Sequence, residues 1–281
     1  MTVVEDQLAV LERIAGVDLG ELERVASLQT RVDRKYLLPA HRGTELLGAL
    51  HGEVAVLCID GARRFRYDTI YLDTPDLDSY LSTAHRRRHR FKVRIRTYTD
   101  AAFAVLEVKR KGRRGETVKV RTPHPVEAGA TLTAAAATFI DGTLGRPGLA
   151  GRLRPVLATS FVRTTLLDRR DGSRATLDSE VDLGIPGGEA VVLGEHSILE
   201  TKSVGAATEA DRWLWAHGHR PTSFSKFCIG MALQHAELPA NKWNRTLRRD
   251  LGWRPQRELP ARSTATPLIE KGPLPVAVLT G

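Results

Sequence analysis

The stretch Arg90-Phe91-Lys92-Val93-Arg94-Ile95-Arg96 carries a basic residue at every second position and an apolar residue between them. Side chains of a β-strand point alternately to the two faces of a sheet, so this spacing predicts a strand with one apolar face and one basic face. Residues 103–111, 117–121 and 198–202 show the same alternation, with a few carboxylates among the charges. Together these segments predict a shared charged surface, which becomes a basic tunnel if the sheet closes.

Turn signals decide how the remaining strands connect. Lys111-Gly112-Arg113-Arg114-Gly115 and Asp171-Gly172 are typical of hairpins, and hairpin connections dominate over strict strand-helix-strand alternation. We therefore predict an α+β protein whose mainly antiparallel sheet closes into a β-barrel, with flanking helices. The count of about eight strands is also where a closed barrel has room for its own side chains and one ligand.

The chain divides into three predicted regions. Residues 1–30 form an N-terminal helical segment, residues 31–238 form the tunnel domain, and residues 239–281 form a basic, Pro-rich tail. Low hydrophobicity and frequent proline predict that the part of this tail beyond residue 255 is poorly ordered.

Composition narrows the class of partner. Lys and Arg number 42 against 33 Asp and Glu, a net charge of +9, which favours nucleic acid, nucleotide, polyphosphate or an acidic membrane surface. Cys58 and Cys228 form no C-x-x-C motif and are expected to be reduced thiols. No basic leader and no apolar stretch of membrane-spanning length is recognisable, so we expect a soluble, cytoplasmic protein.

The residues themselves suggest phosphate chemistry. Arg94 and Arg96 lie two apart on one strand face, where two guanidinium groups can grip neighbouring phosphates in a bidentate way. Arg163 interrupts an apolar strand and needs a phosphate or carboxylate partner. Glu200 shares a face with Lys202, so it is either a metal ligand or half of an ion pair. The further acidic candidates, each a metal ligand or a counter-charge for arginines, are Glu107, Asp178 and Glu180.

The order of motifs along residues 31–235 resembles a known family. The segments are Arg34-Lys35-Tyr36, Thr69-Ile70-Tyr71-Leu72-Asp73, Val93-Arg94-Ile95-Arg96, Leu106-Glu107-Val108-Lys109, Glu116-Thr117-Val118-Lys119-Val120-Arg121, Arg163-Thr164, Ala175-Thr176-Leu177-Asp178-Ser179-Glu180, Ile198-Leu199-Glu200-Thr201-Lys202 and Phe224-Ser225-Lys226-Phe227. In this order they resemble the VTC domain, the polyphosphate polymerase branch of the triphosphate tunnel metalloenzymes (CYTH-like superfamily). Ser-Lys-Phe after the Glu-x-Lys strand is the most specific of these segments.

The resemblance implies a metal-dependent enzyme, a phosphotransferase that moves the γ-phosphate of ATP to inorganic polyphosphate. Mg²⁺ or Mn²⁺ is the implied cofactor, with Glu200 as its ligand. The residues implied to hold the triphosphate in line are Arg94, Arg96, Lys109, Lys119 and Arg163. Those implied to hold the acceptor phosphate or the leaving diphosphate are Lys35, Lys202 and Lys226. Tyr71 and Asp73 are expected to be structural, with Asp73 capping the helix after Pro75.

Two alternatives stay open on the sequence. The first is a triphosphatase or tripolyphosphatase of the same fold. The related CYTH enzymes begin with a Glu-x-Glu-x-Lys strand, and Arg31 replaces one of those acids here, which favours the polymerase. The second is a non-catalytic module that binds polyphosphate or nucleic acid. The basic run 85–89 lacks an aromatic platform, which argues against nucleic acid and for a solvated loop at the tunnel mouth.

Overall fold

The structure is a computed structural model that describes residues 2–25, 32–112 and 115–254. Arg31, the turn residues Arg113 and Arg114, and the expected tail beyond residue 255 lie outside these ranges. The described residues fall into two compact units. Unit 1 comprises Met1–Tyr67, Ser160–Asp182 and Val192–Phe224, and unit 2 comprises Asp68–Thr159, Leu183–Val191 and Ser225–Gly281, each as far as it is described.

Eleven strands and seven α-helices make up the described chain. The strands are β1 Ala15–Val17, β2 Val32–Pro39, β3 Ala55–Leu57, β4 Phe65–Asp73, β5 Phe91–Tyr98, β6 Phe103–Lys111, β7 Thr117–His124, β8 Arg154–Leu167, β9 Arg174–Gly184, β10 Ala190–Val192 and β11 His196–Ser203. The helices are α1 Val3–Glu12, α2 Leu19–Val25, α3 Ala40–Ala49, α4 Asp78–Ala84, α5 Ala134–Leu144, α6 Glu209–Ala216 and α7 Lys226–Gln234.

The strands of unit 1 follow the order β2-β11-β9-β8, with β3 pairing β8 and β1 pairing β3 in parallel. β11 is antiparallel to both β2 and β9. One face of these strands packs on α1, α3 and α6 through a cluster that includes Tyr36, Leu38, Leu177 and Leu199. The alternate residues of the same strands carry the charges, because each strand turns successive side chains to opposite faces.

The Arg34-Lys35-Tyr36 segment shows this alternation directly. Tyr36 is fully buried and its hydroxyl donates to Asp211 of α6 at 2.6 Å. Arg34 reaches the same carboxylate at 3.3 Å, so both side chains anchor α6. Lys35 lies between them in sequence and points to the other face, where it meets Glu200. Three consecutive residues of β2 therefore contribute to both the core and the charged face.

The strands of unit 2 follow the order β4-β5-β6-β7, and β6 is antiparallel to both β5 and β7. Phe91, Val93 and Ile95 of β5 are buried in a cluster with residues of β6 and α5. The basic residues between them occupy the opposite face. The alternation in the opening stretch of sequence is thus confirmed as one apolar and one charged face.

Asp73 fixes the start of α4. It is fully buried and accepts hydrogen bonds from the backbone N–H groups of Ser79 and Tyr80, at 2.8 and 2.9 Å. Burial raises its pKa to about 6 despite these bonds. The expected capping role of Asp73 is confirmed, although α4 begins at Asp78 rather than directly after Pro75.

The molecule is of the mixed α+β class, with a largely antiparallel sheet of eleven strands and flanking helices. Two differences from the sequence-based prediction stand out. The strand count is higher because β1 and β3 are only three residues long, too short to show a periodic pattern. Within the described residues the sheet is not closed by hydrogen bonds, so the closed barrel is not confirmed.

Candidate functional site

The candidate face of unit 2 lies on β5, β6 and β7, where the strand register sets its charges. Lys92 pairs with Lys109, and Lys109 pairs with Lys119, so three lysines stand side by side across the strands. Two residues further along β5, Arg94 stands opposite Glu107. Like charges directly opposite one another destabilise a sheet. The lysine row therefore favours a bound anion on this face.

Glu107 is the carboxylate at the centre of this face, and it is almost fully buried. Arg94 donates to it from Nε at 2.5 Å, and the Lys119 ammonium lies 3.2 Å away. Burial alone would raise the pKa of Glu107, but Arg94, Arg96 and Lys119 bring it down to about 2. Glu107 is therefore ionised at neutral pH and holds Arg94 in place for a ligand.

Arg96 and Tyr71 complete this part of the face. Arg96 is 8% exposed, and its Nε donates to Thr69 at 3.3 Å. The Tyr71 hydroxyl lies 3.4 Å from Arg94. Burial opposes ionisation of Tyr71, yet the charges of Arg94, Arg96 and Lys92 lower its pKa below the ordinary value. Tyr71 was expected to be structural, and its buried ring, which stacks on Phe227, agrees with that role, while its hydroxyl also lies beside Arg94.

The Ser225-Lys226-Phe227 motif begins α7 beside the same face. Ser225 caps the helix by accepting from the Cys228 N–H at 3.3 Å, and its hydroxyl also lies 2.7 Å from the Lys92 ammonium. Phe227 is buried and stacks on Tyr71 with ring centroids 5.0 Å apart. Lys226 is the first residue of the helix. The motif therefore brings a helix N-terminus, which favours anions, to the Lys92 side chain.

The candidate face of unit 1 is centred on Glu200 of β11. In the strand register Glu200 stands opposite Lys35 of β2 and Thr176 of β9. The Lys35 and Lys202 ammonium groups lie 3.7 and 2.8 Å from its carboxylate. Burial would raise the pKa of Glu200, but these two lysines and Arg163 hold it well below the ordinary value.

For Lys202, burial has a larger effect on the pKa than the neighbouring opposite charge. Its side chain is 10% exposed, and this burial lowers its pKa to about 8, against the favourable charge of Glu200. Lys202 is therefore a cation whose charge is lost at mildly alkaline pH.

Arg163 of β8 has the partner that its apolar strand requires. Its Nε and Nη2 donate to the two oxygens of Asp178 at 2.6 and 2.8 Å, a bidentate pair. The guanidinium carbon also lies 5.2 Å from the ring centroids of both Tyr67 and Phe161. Of the two partners that the sequence allowed, phosphate or carboxylate, the structure shows the carboxylate. Asp178 raises the pKa of Arg163 further, so it stays charged.

The secondary acidic candidates are all engaged by arginines. Glu107 pairs with Arg94 and Asp178 pairs with Arg163. Glu180 pairs with Arg64 and lies 3.4 Å from Arg66. Counter-charge, rather than metal binding, is the role that these contacts support. Glu200 is ion-paired as well, with Lys35 and Lys202, so of its two alternatives the structure shows the ion pair.

Sequence reasoning missed two residues of the unit 1 face. Arg174 stands opposite Lys202 in the strand register, and Thr176 stands opposite Glu200. Thr176 is 4% exposed, and its Oγ1 has no hydrogen-bond partner within the described residues. Both were within reach of the two-residue alternation, because Arg174, Thr176 and Asp178 share one face of β9.

A Mg²⁺ or Mn²⁺ site at Glu200 stays a prediction. No group of three or more Asp, Glu, His or Cys side chains with metal-binding geometry occurs among the described residues. Mg²⁺ commonly uses one or two carboxylates, with waters and substrate phosphates completing its shell. Glu200 supplies one ionised carboxylate, and the buried Thr176 hydroxyl beside it offers an unused polar atom to a metal-bound water.

Comparison with known families identifies the chain. The VTC domain model matches residues 30–141 and 148–235, which is most of the sequence. The chain belongs to the VTC domain family. Its matched region includes every candidate residue of both faces: Lys35, Arg94, Arg96, Lys109, Lys119, Arg163, Glu200, Lys202 and Lys226.

Solved structures with distant similarity are also found. An adenylate cyclase candidate from Bacillus halodurans is 15% identical, with 70% of this chain and 94% of that chain covered and a TM-score of 0.47. HpAC1 from Hippeastrum, an adenylyl cyclase candidate with a dominant triphosphatase activity, is 18% identical, with 72% and 95% covered and a TM-score of 0.47. PH1819 from Pyrococcus horikoshii is 15% identical, with 70% and 95% covered and a TM-score of 0.41. No curated protein matches the sequence.

No helix within the described ranges is long and apolar enough to span a bilayer.

Proposed function

We propose that this protein is a polyphosphate polymerase that transfers the γ-phosphate of ATP to a growing inorganic polyphosphate chain. Membership of the VTC domain family supports the class of reaction. The observation that carries the proposal is the face of β5–β7, where Lys92, Lys109 and Lys119 stand side by side and the buried carboxylate Glu107 pairs with Arg94 and Lys119. This density of positive charge suits a polyanionic substrate better than a neutral one.

Positioning and charge neutralisation carry most of the work in phosphoryl transfer. Arg94 is held by Glu107 and Tyr71, so its planar guanidinium is oriented before a substrate arrives. Arg96 is held by Thr69 in the same way. Pre-oriented arginines lose less freedom when they bind phosphate oxygens, and they bind them in pairs. We assign to Arg94 and Arg96 the triphosphate, with Lys109, Lys119 and Arg163 as further phosphate contacts.

We assign the acceptor phosphate or the leaving diphosphate to Lys35, Lys202 and Lys226. Glu200 would hold Mg²⁺ or Mn²⁺ together with substrate phosphate oxygens, and the ion would supply neutralisation of the charge on the transferring group.

The acid–base properties of Glu107 and Glu200 do not suit a general base for water. A terminal phosphate oxygen attacks without a proton acceptor, whereas water is activated by a base with a pKa near neutrality or by a metal ion. The pKa of Glu107 is about 2 and that of Glu200 lies well below the ordinary value, so neither carboxylate is such a base. Lys202, with a pKa of about 8, is mostly protonated at neutral pH.

The test is an incubation of the purified protein with ATP and Mn²⁺ or Mg²⁺. Polymer, ADP and free phosphate are each measured. The proposal expects acid-labile polymer that an exopolyphosphatase digests, with ADP as the second product. Rapid release of phosphate from tripolyphosphate without polymer supports the triphosphatase alternative. Tight phosphate binding without turnover supports a non-catalytic binding module.

A further inference from the structure

A group of cations in unit 2 lies outside the residues assigned to the triphosphate. Arg86 follows α4, Arg90 precedes β5, Lys92 is on β5, and Lys242 is in the 3₁₀ turn Asn241–Trp243. We call these four residues the outer basic row. Within the described part of the chain, none of them makes an ion pair with a carboxylate.

Three of the four contact neutral groups instead. Arg90 donates to the carbonyl oxygen of Arg87 at 2.9 Å. Lys92 bonds the Ser225 hydroxyl at 2.7 Å, and Lys242 lies 5.4 Å from the Trp243 ring centroid. Arg94 of the candidate site differs from them, because Glu107 compensates its charge. The positive charge of the outer basic row is therefore left for an external anion.

Four packed aromatic rings connect the position of Arg94 with the outer basic row. Phe227 stacks on Tyr71 at 5.0 Å, Tyr80 meets Phe227 at 6.2 Å, and Trp243 meets Tyr80 at 6.0 Å. The cations follow the rings: Arg94 lies 6.0 Å from the centroid of Tyr71, Lys92 5.5 Å from that of Phe227, and Lys242 5.4 Å from that of Trp243. The basic row thus leads away from the Arg94 position along a rigid support.

The electrostatics of Lys242 show that these charges act on one another. Burial lowers the pKa of Lys242, and the charges of Lys92, Arg90 and Arg86 lower it further. Like charges brought together without carboxylates are costly. A polyanion that spans them recovers this cost, because it neutralises several cations at once and releases its own counterions.

We propose that the outer basic row binds the part of a linear polyphosphate chain that extends beyond the phosphates held by Arg94 and Arg96. Basic residues at alternate positions of β5 are spaced about 7 Å apart, which suits a flexible polyanion that runs along the strand. The row would keep a growing polymer attached between transfer steps. This inference rests on the proposed function, since it names the longer ligand of that same site.

The aromatic residues also decide which polyanion fits. Single-stranded nucleic acid is held by bases that stack on exposed aromatic rings. Here Tyr80, Phe227 and Trp243 are all buried, at 2% exposure or less, beneath the cations. No base could reach their faces. A polymer made only of phosphates needs the cations and nothing else, so polyphosphate is favoured over nucleic acid.

The test compares a long ligand with a short one. Binding of long-chain linear polyphosphate and of tripolyphosphate is measured for the wild type and for the double variant Arg90→Gln/Lys242→Gln at several salt concentrations. We expect long-chain affinity to fall by about ten-fold or more at low salt, and the slope of log affinity against log salt to decrease by about one per charge removed. Tripolyphosphate affinity is expected to change by less than about two-fold.

Two control variants test whether the loss of affinity comes from the removed charges of the outer basic row. Arg154→Gln removes one exposed charge in the same unit, from a guanidinium that bonds the carbonyls of Gly151 and Leu153, and should leave both ligands unaffected. Lys242→Arg keeps the charge and should retain long-chain binding, which separates charge loss from misfolding.

Each remaining outcome has a distinct meaning. Unchanged long-chain affinity in the double variant, with tripolyphosphate still bound, overturns this inference and leaves the proposed function standing. Failure of the wild type to bind either phosphate ligand overturns the proposed function itself. If single-stranded DNA binds the wild type as tightly as long-chain polyphosphate and loses affinity in the double variant, the assignment of the partner is wrong.

Discussion

Replacement of Glu107 by Gln is the most informative single perturbation of the unit 2 face. The change keeps the shape of the side chain and removes its charge from between Arg94 and Lys119. Loss of one member of a buried ion pair leaves the other charges uncompensated, which typically costs about 3–5 kcal/mol. We expect the free energy of unfolding at neutral pH to fall by an amount of that order.

The pKa of Glu107 gives a second route to the same magnitude. The carboxyl drops from an ordinary value of 4.5 to about 2 on folding. At 1.36 kcal/mol per pKa unit, the charged form is stabilised by about 3 kcal/mol relative to the unfolded chain. Because the folded pKa is depressed, this stability is present above pH 4.5 and is lost as the pH falls towards 2. The difference between wild type and Glu107→Gln should therefore shrink over that interval.

Urea unfolding at neutral and acid pH measures this difference directly. Glu127→Gln, at an exposed carboxylate, is the matched control and should change stability by less than about 0.5 kcal/mol. A loss below about 1 kcal/mol at neutral pH, or a difference that stays constant on acidification, would refute the argument.

Three further predictions concern the candidate site. Glu200→Gln should lower metal-dependent turnover by about a hundred-fold or more, while the fold survives. It should also weaken Mn²⁺ binding, measured by EPR with tripolyphosphate present. Activity near that of the wild type, at an unchanged metal requirement, would place the metal ligand at another residue. Arg94→Lys and Arg96→Lys should each impair ATP use by about ten-fold or more, whereas Arg87→Lys, in the exposed loop, should be nearly silent; equal effects at all three positions would favour simple attraction. Lys202 has a folded pKa of about 8, so its charge is present below that pH and lost above it. Wild-type tripolyphosphate affinity should decline between about pH 7 and 9 while Lys202→Arg holds steady, and parallel declines would remove Lys202 from the binding set.

Much of the unit 2 face was predictable from sequence. Alternation in a strand is local, so Lys92, Arg94 and Arg96 identified a charged face without any knowledge of their neighbours. The hairpin signal in the sequence of residues 111–115 also predicted the strand pairing that sets Lys109 opposite Lys119. A resemblance of ordered motifs supplied the family, and the family match confirms it.

The pairing of distant strands was not predictable in the same way. Glu200 meets Lys35 because β11 pairs with β2, across more than half of the chain, and no local pattern encodes that register. For the same reason the sequence left both a phosphate and a carboxylate open as the partner of Arg163. The bidentate contact with Asp178 is a result of strand neighbours, not of spacing along the chain.

Sequence periodicity predicts neither the closure of a sheet nor strands of three residues. Three residues give too few alternations to distinguish a strand from a loop, so β1 and β3 escaped prediction. Closure depends on twist and on the path of every strand, and the described hydrogen bonds do not close the sheet. The convergence of Arg94, Arg96, Lys109, Lys119, Arg163 and Glu200 on one cavity stays a prediction.

The central claim is that phosphate, not water, accepts the transferred group. The most direct measurement is the product of an incubation of the purified protein with ATP and Mn²⁺. The account predicts ADP and an acid-labile polymer that exopolyphosphatase digests, formed by the wild type and lost in Glu200→Gln. Rapid hydrolysis of tripolyphosphate, with no polymer at any ATP concentration, would contradict it.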